Sequence, residues 1–340
     1  MTSGLPPHSR PLLIGHRGAC GYRPEHTASA YLLAFAQGVD AVEPDLVVSS
    51  DGVIVIRHEN EISGTTDVAD HEEFADRRTT KVVDGVTLTG WFTEDFTWAE
   101  LATLRCRERV PELRADNTVF DDAERMLSLH DLLQLVDEWN AAHEQPVGLV
   151  IELKHVDFLQ QQGHDLVHLM LTELAQRGWD EKPELLTIEC FEIDPLDRLR
   201  ELGTPAQLIF LMESAGSPPD QISKFCTEAH EYEWYRSDIG LDSLVGRVHG
   251  ISLSKRDLLR VNSEGLAIGV QDVVARAHAR DLRVFTWTLR PENGFLVPGF
   301  RTSTQRAEWG EWRDEWRLIL STGIDGVFLD HPDLLAEVLD

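Results

Sequence analysis

The sequence predicts an α/β fold, a TIM (β/α)8 barrel with an insertion after the second strand and a second insertion before the last strand. Three observations point there. The chain has 340 residues, enough for one such barrel with additions. Short apolar runs recur along it, most of them continuous rather than alternating, as parallel strands covered on both faces require. Helical patterns separate many of these runs, and repeated strand–helix units make a parallel sheet.

Taken in order, residues 12–14 open the barrel. Residues 27–37 (TASAYLLAFAQ) read as a helix that ends at Gly38, a residue suited to a left-handed C-cap. Runs at 41–48 and 53–56 follow. Residues 59–146 are polar and rich in Thr, Asp and Arg, with helical patterns at 97–104 and 127–139, and read as an inserted lid subdomain. The runs at 147–153, 185–188, 207–212, 248–253, 283–289 and 326–329 supply further strands. Helical patterns at 163–177 and 194–202 stop at Gly178 and Gly203, and another covers 270–280. Residues 290–317 form the second insertion. Its Trp309, Trp312 and Trp316 could line a substrate mouth, but packing of the insertion on the barrel is the simpler expectation. The domain then covers residues 10–340, with 59–146 as its lid.

Composition narrows the function. Against 31 Lys and Arg stand 59 Asp and Glu, a formal charge of −28. That argues against nucleic acid or an anionic membrane surface as the main partner. No apolar run approaches the roughly 20 residues of a membrane helix, so no stable membrane anchor is expected. The first residues show no signal-peptide pattern, which implies a cytoplasmic protein, or a secreted or periplasmic one with its signal removed. Cys20, Cys106, Cys190 and Cys226 lie far apart with no CxxC pair, and are expected reduced and mostly buried. An anionic substrate would need a concentrated positive charge at its own site.

Four places carry chemistry. Gly15-His16-Arg17-Gly18 follows the first strand and offers an imidazole for proton transfer and a planar guanidinium for phosphate. Both reach one ligand only if the chain turns, which the glycines permit. Glu43 and Asp45 flank Pro44 at i and i+2, on one face of one strand. Two such charges about 4 Å apart repel by roughly 4 kcal/mol even at an effective dielectric of 20. A hard divalent ion is an economical counter-charge; an exposed acidic strand edge, which Pro44 would suit, is the alternative. Glu152 and Lys154 repeat the spacing at the end of VGLVIELK, as a third carboxylate with a cation or as a plain salt pair. His58 follows VIVIR in phase with Ile54 and Ile56, as a second proton carrier or a strand cap. In a parallel barrel these strand ends share one mouth. The set suits metal-assisted cleavage of a phosphodiester, with local charge positive against a negative whole.

The segment HRGACGYRPEHTASAYLLAFAQGVDAVEPDLVVSSDGVIVIRHE resembles the opening of the glycerophosphodiester phosphodiesterase family. The likeness continues through Glu152-x-Lys154 and FTWTLRPEN (285–293) to GIDGVFLDHPD (323–333), and covers residues 12–335. TTDVA (65–69), DFTWAEL (95–101) and LSLHDLL (127–133) are similar to the larger, periplasmic-type branch. The resemblance implies one divalent metal ion, Ca2+ or Mg2+, held by Glu43, Asp45 and Glu152. It implies His16 and His58 as the acid/base pair, Arg17 and Lys154 on phosphate, and Trp287 beneath the glycerol. The implied reaction is attack by the substrate's own glycerol 2-hydroxyl, giving a cyclic phosphate that water opens to sn-glycerol 3-phosphate. The partner is then a small glycerophosphodiester, for example glycerophosphocholine or glycerophosphoethanolamine.

Three positions depart from the family pattern: His26 replaces an Asn, Glu59 an Asp, and Cys190, in ECF, a Ser. Glu189 and Cys190 bear on the substrate end of the site. A lysophospholipase D acting on single-chain lipids is the alternative enzyme, and would need an apolar groove, for which Phe295, Leu296 and the Trp309–Trp316 region are candidates. A metal-dependent binding module without turnover is the non-enzymatic alternative, against which the intact His16 and His58 argue.

Overall fold

The computed structural model describes residues 10–339. Its centre is a set of parallel strands: β1 (Leu12–His16), β2 (Ala41–Glu43, resumed as Asp45–Val48), β3 (Gly148–Leu153) and β4 (Leu186–Cys190). They continue as β5 (Gln207–Met212), β6 (Gly250–Ser254), β7 (Arg283–Leu289) and β8 (Gly326–Leu329). Each pairs with the next, and β8 pairs back onto β1, so the eight-stranded barrel closes.

Closure divides every strand between two environments. Outward residues such as Leu149, Ile151 and Ile188 meet the helices in the main core. Inward residues Ile14, Ala41, Val150, Ile209, Phe285 and Phe328 meet one another and plug the barrel. Side chains alternate with a period of two, so the next inward positions on these strands are His16, Glu43, Glu152, Leu211, Trp287 and Asp330. A mostly polar layer therefore rests directly on the apolar plug at the carboxyl ends of the strands.

The helices follow their sequence signals closely. Ala28–Ala36 is capped by the Thr27 side chain, which accepts from the Ala30 amide, and stops before Gly38 at φ 78°. Ile193–Glu201 matches its pattern within a residue. Leu166–Gln176 begins later than residue 163, because Asp165 caps it. Val273–His278 also begins late, since Ala267–Val270 pairs antiparallel with Leu259–Val261.

Three features differ from the sequence reading in a way that shapes the site. The run at 53–56 is not a barrel strand; Ile54–Ile56 folds back antiparallel on the β2 extension. β2 outruns the barrel because Pro44 interrupts it, and the hairpin returns the chain from the rim towards the mouth. The polar stretch that follows holds a hairpin, Thr79–Val83 with Val86–Gly90, turned by Asp84 and Gly85 at positive φ. It has a small core of its own, including Ile62, Phe74, Trp91, Phe96 and Leu104, continuous with Val47 and Val55 of the extension. Helix Leu129–Ala142, by contrast, sends Leu129, Leu132, Leu133 and Val136 into the main core as the crossover between β2 and β3.

Trp312 and Trp316 lie on helix Trp312–Leu320 and are fully buried in the main core, so they pack the chain rather than line a mouth. Leu296 is buried beside them, and Phe295 lies under Arg290 and Arg114. Of the residues that could have lined a lipid groove, Leu296, Trp312 and Trp316 are buried in the core, while Trp309 stays partly exposed. Cys20, Cys106 and Cys190 are buried and Cys226 is exposed, all as free thiols. Among the described residues no helix is long and apolar enough to cross a membrane.

Candidate active site

At the end of β1 the chain turns sharply. Arg17 and Gly18 have φ of 55° and 87°. A Cβ on Gly18 would lie 2.6 Å from the Ala30 carbonyl carbon, so the turn against the first helix needs glycine there. The turn brings the Arg17 amide onto Glu43 Oε2 at 2.9 Å, and its guanidinium onto Glu25 at 2.8 Å and Asp45 at 3.2 Å. Arg17 is thus built into a buried carboxylate network at the cavity wall.

A cavity of about 680 Å³ opens over the plug, lined by His16, Arg17, Glu43, His58, Glu152, Lys154 and Trp287 among others. Asp45 lies just behind this lining. His16 Nδ1 is 2.6 Å from Asp330 Oδ1, which leaves Nε2 for the cavity. Asp330 in turn accepts from Arg114 and Arg290, each at 2.6 Å. Although burial opposes it, these two arginines hold the Asp330 carboxyl well below the usual range. Burial, with Arg17 next, pushes the His16 imidazole down to about 4. His58 arrives from above, two residues past the returning hairpin strand, and its Nδ1 is 2.5 Å from Glu59. Arg109 bridges Glu59 and Glu25 with four hydrogen bonds. Burial, then Arg17 and Lys154, push His58 down to about 3. Burial and the neighbouring cations thus favour the neutral form of both imidazoles in the free protein.

The acidic layer has the opposite character. One ligand atom from each of Glu43, Glu152 and Glu189 lies within 4.8 Å of the other two. Glu43 Oε1, Asp45 Oδ1 and Glu189 Oε2 are buried with no hydrogen-bond partner among the described residues. Lys154 Nζ meets Glu152 at 2.7 Å and lies 3.8 Å from Asp45. Burial, then Asp45 and Glu152, push the Glu43 carboxyl well above its usual range, and burial with Glu152 does the same to Glu189. Burial lifts Glu152 to about 8 even beside Lys154. Asp45 goes the other way: against burial, His58, Lys154 and Arg17 hold it low, and the His26 ring adds a hydrogen bond of 2.9 Å. His26 is itself at φ 59° and its other nitrogen meets the Tyr31 hydroxyl at 2.7 Å, so the imidazole spans the turn.

The local charge does not match the sequence expectation. Arg17, Lys154 and Arg290 line the cavity, but so do Glu43, Glu152, Glu189, Glu192, Glu213 and Asp84. The chain alone does not make the mouth positive. Oxygen-rich, partner-poor carboxylates of this kind suit a hard divalent cation. Trp287 stands against Phe191 with ring centroids 5.7 Å apart, as an apolar wall opposite the acids. Sequence reasoning missed the supporting groups, Asp330, Arg109, Arg114 and Arg290. Only Asp330 carried a signal, its phase two residues beyond Phe328; the arginines come from loops without periodicity.

The chain matches the Glycerophosphoryl diester phosphodiesterase family over residues 16–334. A glycerophosphodiester phosphodiesterase of Arabidopsis thaliana is 32% identical over 340 residues, covering 96% of this chain and 85% of that protein. One of Haemophilus influenzae is 24% identical, covering 96% and 89%. Among solved structures, a phosphodiesterase of Oleispira antarctica in complex with the product sn-glycerol-3-phosphate is similar with a TM-score of 0.63 at 19% identity, covering 97% of each chain. A Silicibacter pomeroyi protein assigned as a glycerophosphoryl diester phosphodiesterase gives 0.66 at 21% identity, covering 99% and 94%. At these identities the structural likeness speaks for the barrel fold.

Proposed function

Because the chain belongs to the glycerophosphodiester phosphodiesterase family and is an enzyme of that kind, we propose that it cleaves glycerophosphodiesters such as glycerophosphocholine and glycerophosphoethanolamine. The products are sn-glycerol 3-phosphate and an alcohol, which places it in lipid and glycerol metabolism. The observation that carries this reading is the pair of carboxylate-oriented imidazoles, His16 and His58, facing one cavity across Arg17, Lys154 and the acidic layer.

One imidazole takes the proton of the glycerol 2-hydroxyl as its oxygen bonds to phosphorus. The other, once it has taken up a proton from solvent as the anionic phosphate binds beside it, gives that proton to the departing alcohol as the P–O bond breaks. The pair then exchanges roles while water opens the cyclic phosphate. Asp330 and Glu59 fix each ring by Nδ1 and stabilise it when protonated. Lys154 and Arg17 offset the phosphate charge, and Trp287 packs under the glycerol carbons. An internal hydroxyl beside phosphorus needs no second molecule to be captured, which is a large entropic gain. One divalent cation, Ca2+ or Mg2+, fits Glu43, Glu152 and the free oxygen of Asp45. When bound it would stabilise charge on the phosphoryl oxygens and acidify the attacking hydroxyl.

The deciding experiment follows alcohol release from glycerophosphocholine, glycerophosphoethanolamine and lysophosphatidylcholine, after chelation and with each ion restored singly. Turnover of the two water-soluble diesters, lost on chelation and restored by one ion, is expected. Activity that survives exhaustive chelation overturns the metal assignment, and preference for the single-chain lipid overturns the substrate assignment.

A further inference from the structure

Building on the proposed divalent-cation site, we propose that Glu189 is one of its ligands, so that this chain binds its cation with a carboxylate that its resemblance to the family does not supply. Glu189 lies on β4, in direct register with Glu152 on β3, which is itself in register with Asp45 on β2. Neighbouring strands are about 4.8 Å apart, and paired residues point the same way. Ile188 and Cys190 on either side pack outward into the main core, so Glu189 points into the barrel. There Ile209, part of the apolar plug, is its register partner on β5.

A cation would satisfy what the chain leaves open here. Glu189 is 1% exposed, and its Oε2 has no hydrogen-bond partner among the described residues. Glu43 is equally buried and its Oε1 is likewise without a partner. An ionised carboxylate left dry and unpaired is costly. Lys154 cannot satisfy all of these acids, since its ammonium is engaged by Glu152 and Asp45. Arg17 is taken up by Glu25 and Asp45. Fully ionised, Glu43, Asp45, Glu152 and Glu189 outnumber the two committed cations by two charges, a deficit that one divalent ion closes. Glutamine at this place would offer one oxygen and no charge. Glutamate adds a charged ligand, and affinity of oxygen sites rises with ligand charge.

The test compares wild-type protein with Glu189→Gln, Glu189→Asp and Glu43→Gln after chelation, by calorimetric titration with Ca2+ alone and no substrate. Glu189→Gln should weaken Ca2+ binding by about 10- to 100-fold, the range typical for groups that tune a metal site. Glu189→Asp, which keeps the charge on a shorter arm, should lose less. Unfolding by urea in chelator checks that each variant is folded, and Glu189→Gln should be no less stable than wild type. Should Glu189→Gln bind Ca2+ within twofold of wild type while Glu43→Gln has lost it, Glu189 is a wall residue and the proposal is overturned, with the metal site itself intact. Failure of wild type to bind Ca2+ or, in the same titration, Mg2+ overturns both this proposal and the metal reading beneath it.

Discussion

The two halves of the barrel mouth are built on opposite terms. On the imidazole half, Asp330 and Glu59 are each tied to arginines, and each orients one ring. On the acidic half, Glu43, Asp45 and Glu189 each keep a buried oxygen with no hydrogen-bond partner among the described residues. The first half is complete as the chain folds. The second is stable in full only when further positive charge arrives. Proton transfer needs rings already fixed in direction, whereas a cation site needs unspent lone pairs, and unspent lone pairs are unfavourable until filled.

The comparison can be broken most forcefully on the first half. His16→Ala and His58→Ala should each lower kcat by about 10²- to 10⁴-fold. The double variant should fall little below the worse single one, because the rings act as a unit. Calorimetric Ca2+ binding should be kept in all three; its loss would mean that the halves are not separate.

Stability in chelator should separate the halves by sign. Asp330→Asn leaves Arg114 and Arg290 short of a partner in a buried network, and should destabilise by about 3–5 kcal/mol. Glu43→Gln removes a buried carboxyl that folding forces well above its usual range, and should stabilise by about 1 kcal/mol. Urea unfolding measures both, and a shared sign would refute the contrast.

The pH response sharpens it further. Glu152 is raised from 4.5 to about 8, so the folded chain holds a proton that the unfolded chain releases. Its contribution to the stability of the chelated protein should fall as pH rises from about 4.5 to 8. His16 is lowered from 6.5 to about 4, so there the unfolded chain takes up the proton first. That contribution should be lost as pH falls from about 6.5 to 4. Ca2+ should therefore raise the melting temperature more at pH 8 than at pH 5, which thermal unfolding in the two buffers checks.

The smallest expected effect compares the two orienting acids. The Glu59 side chain is 31% exposed, against 1% for Asp330, and Arg109 keeps Glu25 when Glu59 is neutralised. Glu59→Gln should thus lower kcat by about tenfold or less, with KM nearly unchanged, in steady-state assays.

Much of this was legible in the residues themselves. The continuous apolar runs and the Gly-terminated helices specify the barrel, because a strand covered on both faces must be apolar on both. The period of two at Glu43 and Asp45, and at Glu152 and Lys154, specifies which side chains share a face. His16 is placed by the turn that Gly18 permits. What the residues alone could not decide is which groups from distant segments meet. Glu189 stands beside Glu152 only through the register of β3 and β4. His58 reaches the mouth only because β2 overshoots the barrel and folds back. Arg109 and Arg114 come from an insertion with no periodic signal. Local pattern is written in the chain because it depends on neighbours a few residues apart. The charge balance of the mouth depends on contacts hundreds of residues apart, such as His16 with Asp330, and only the closed barrel creates those.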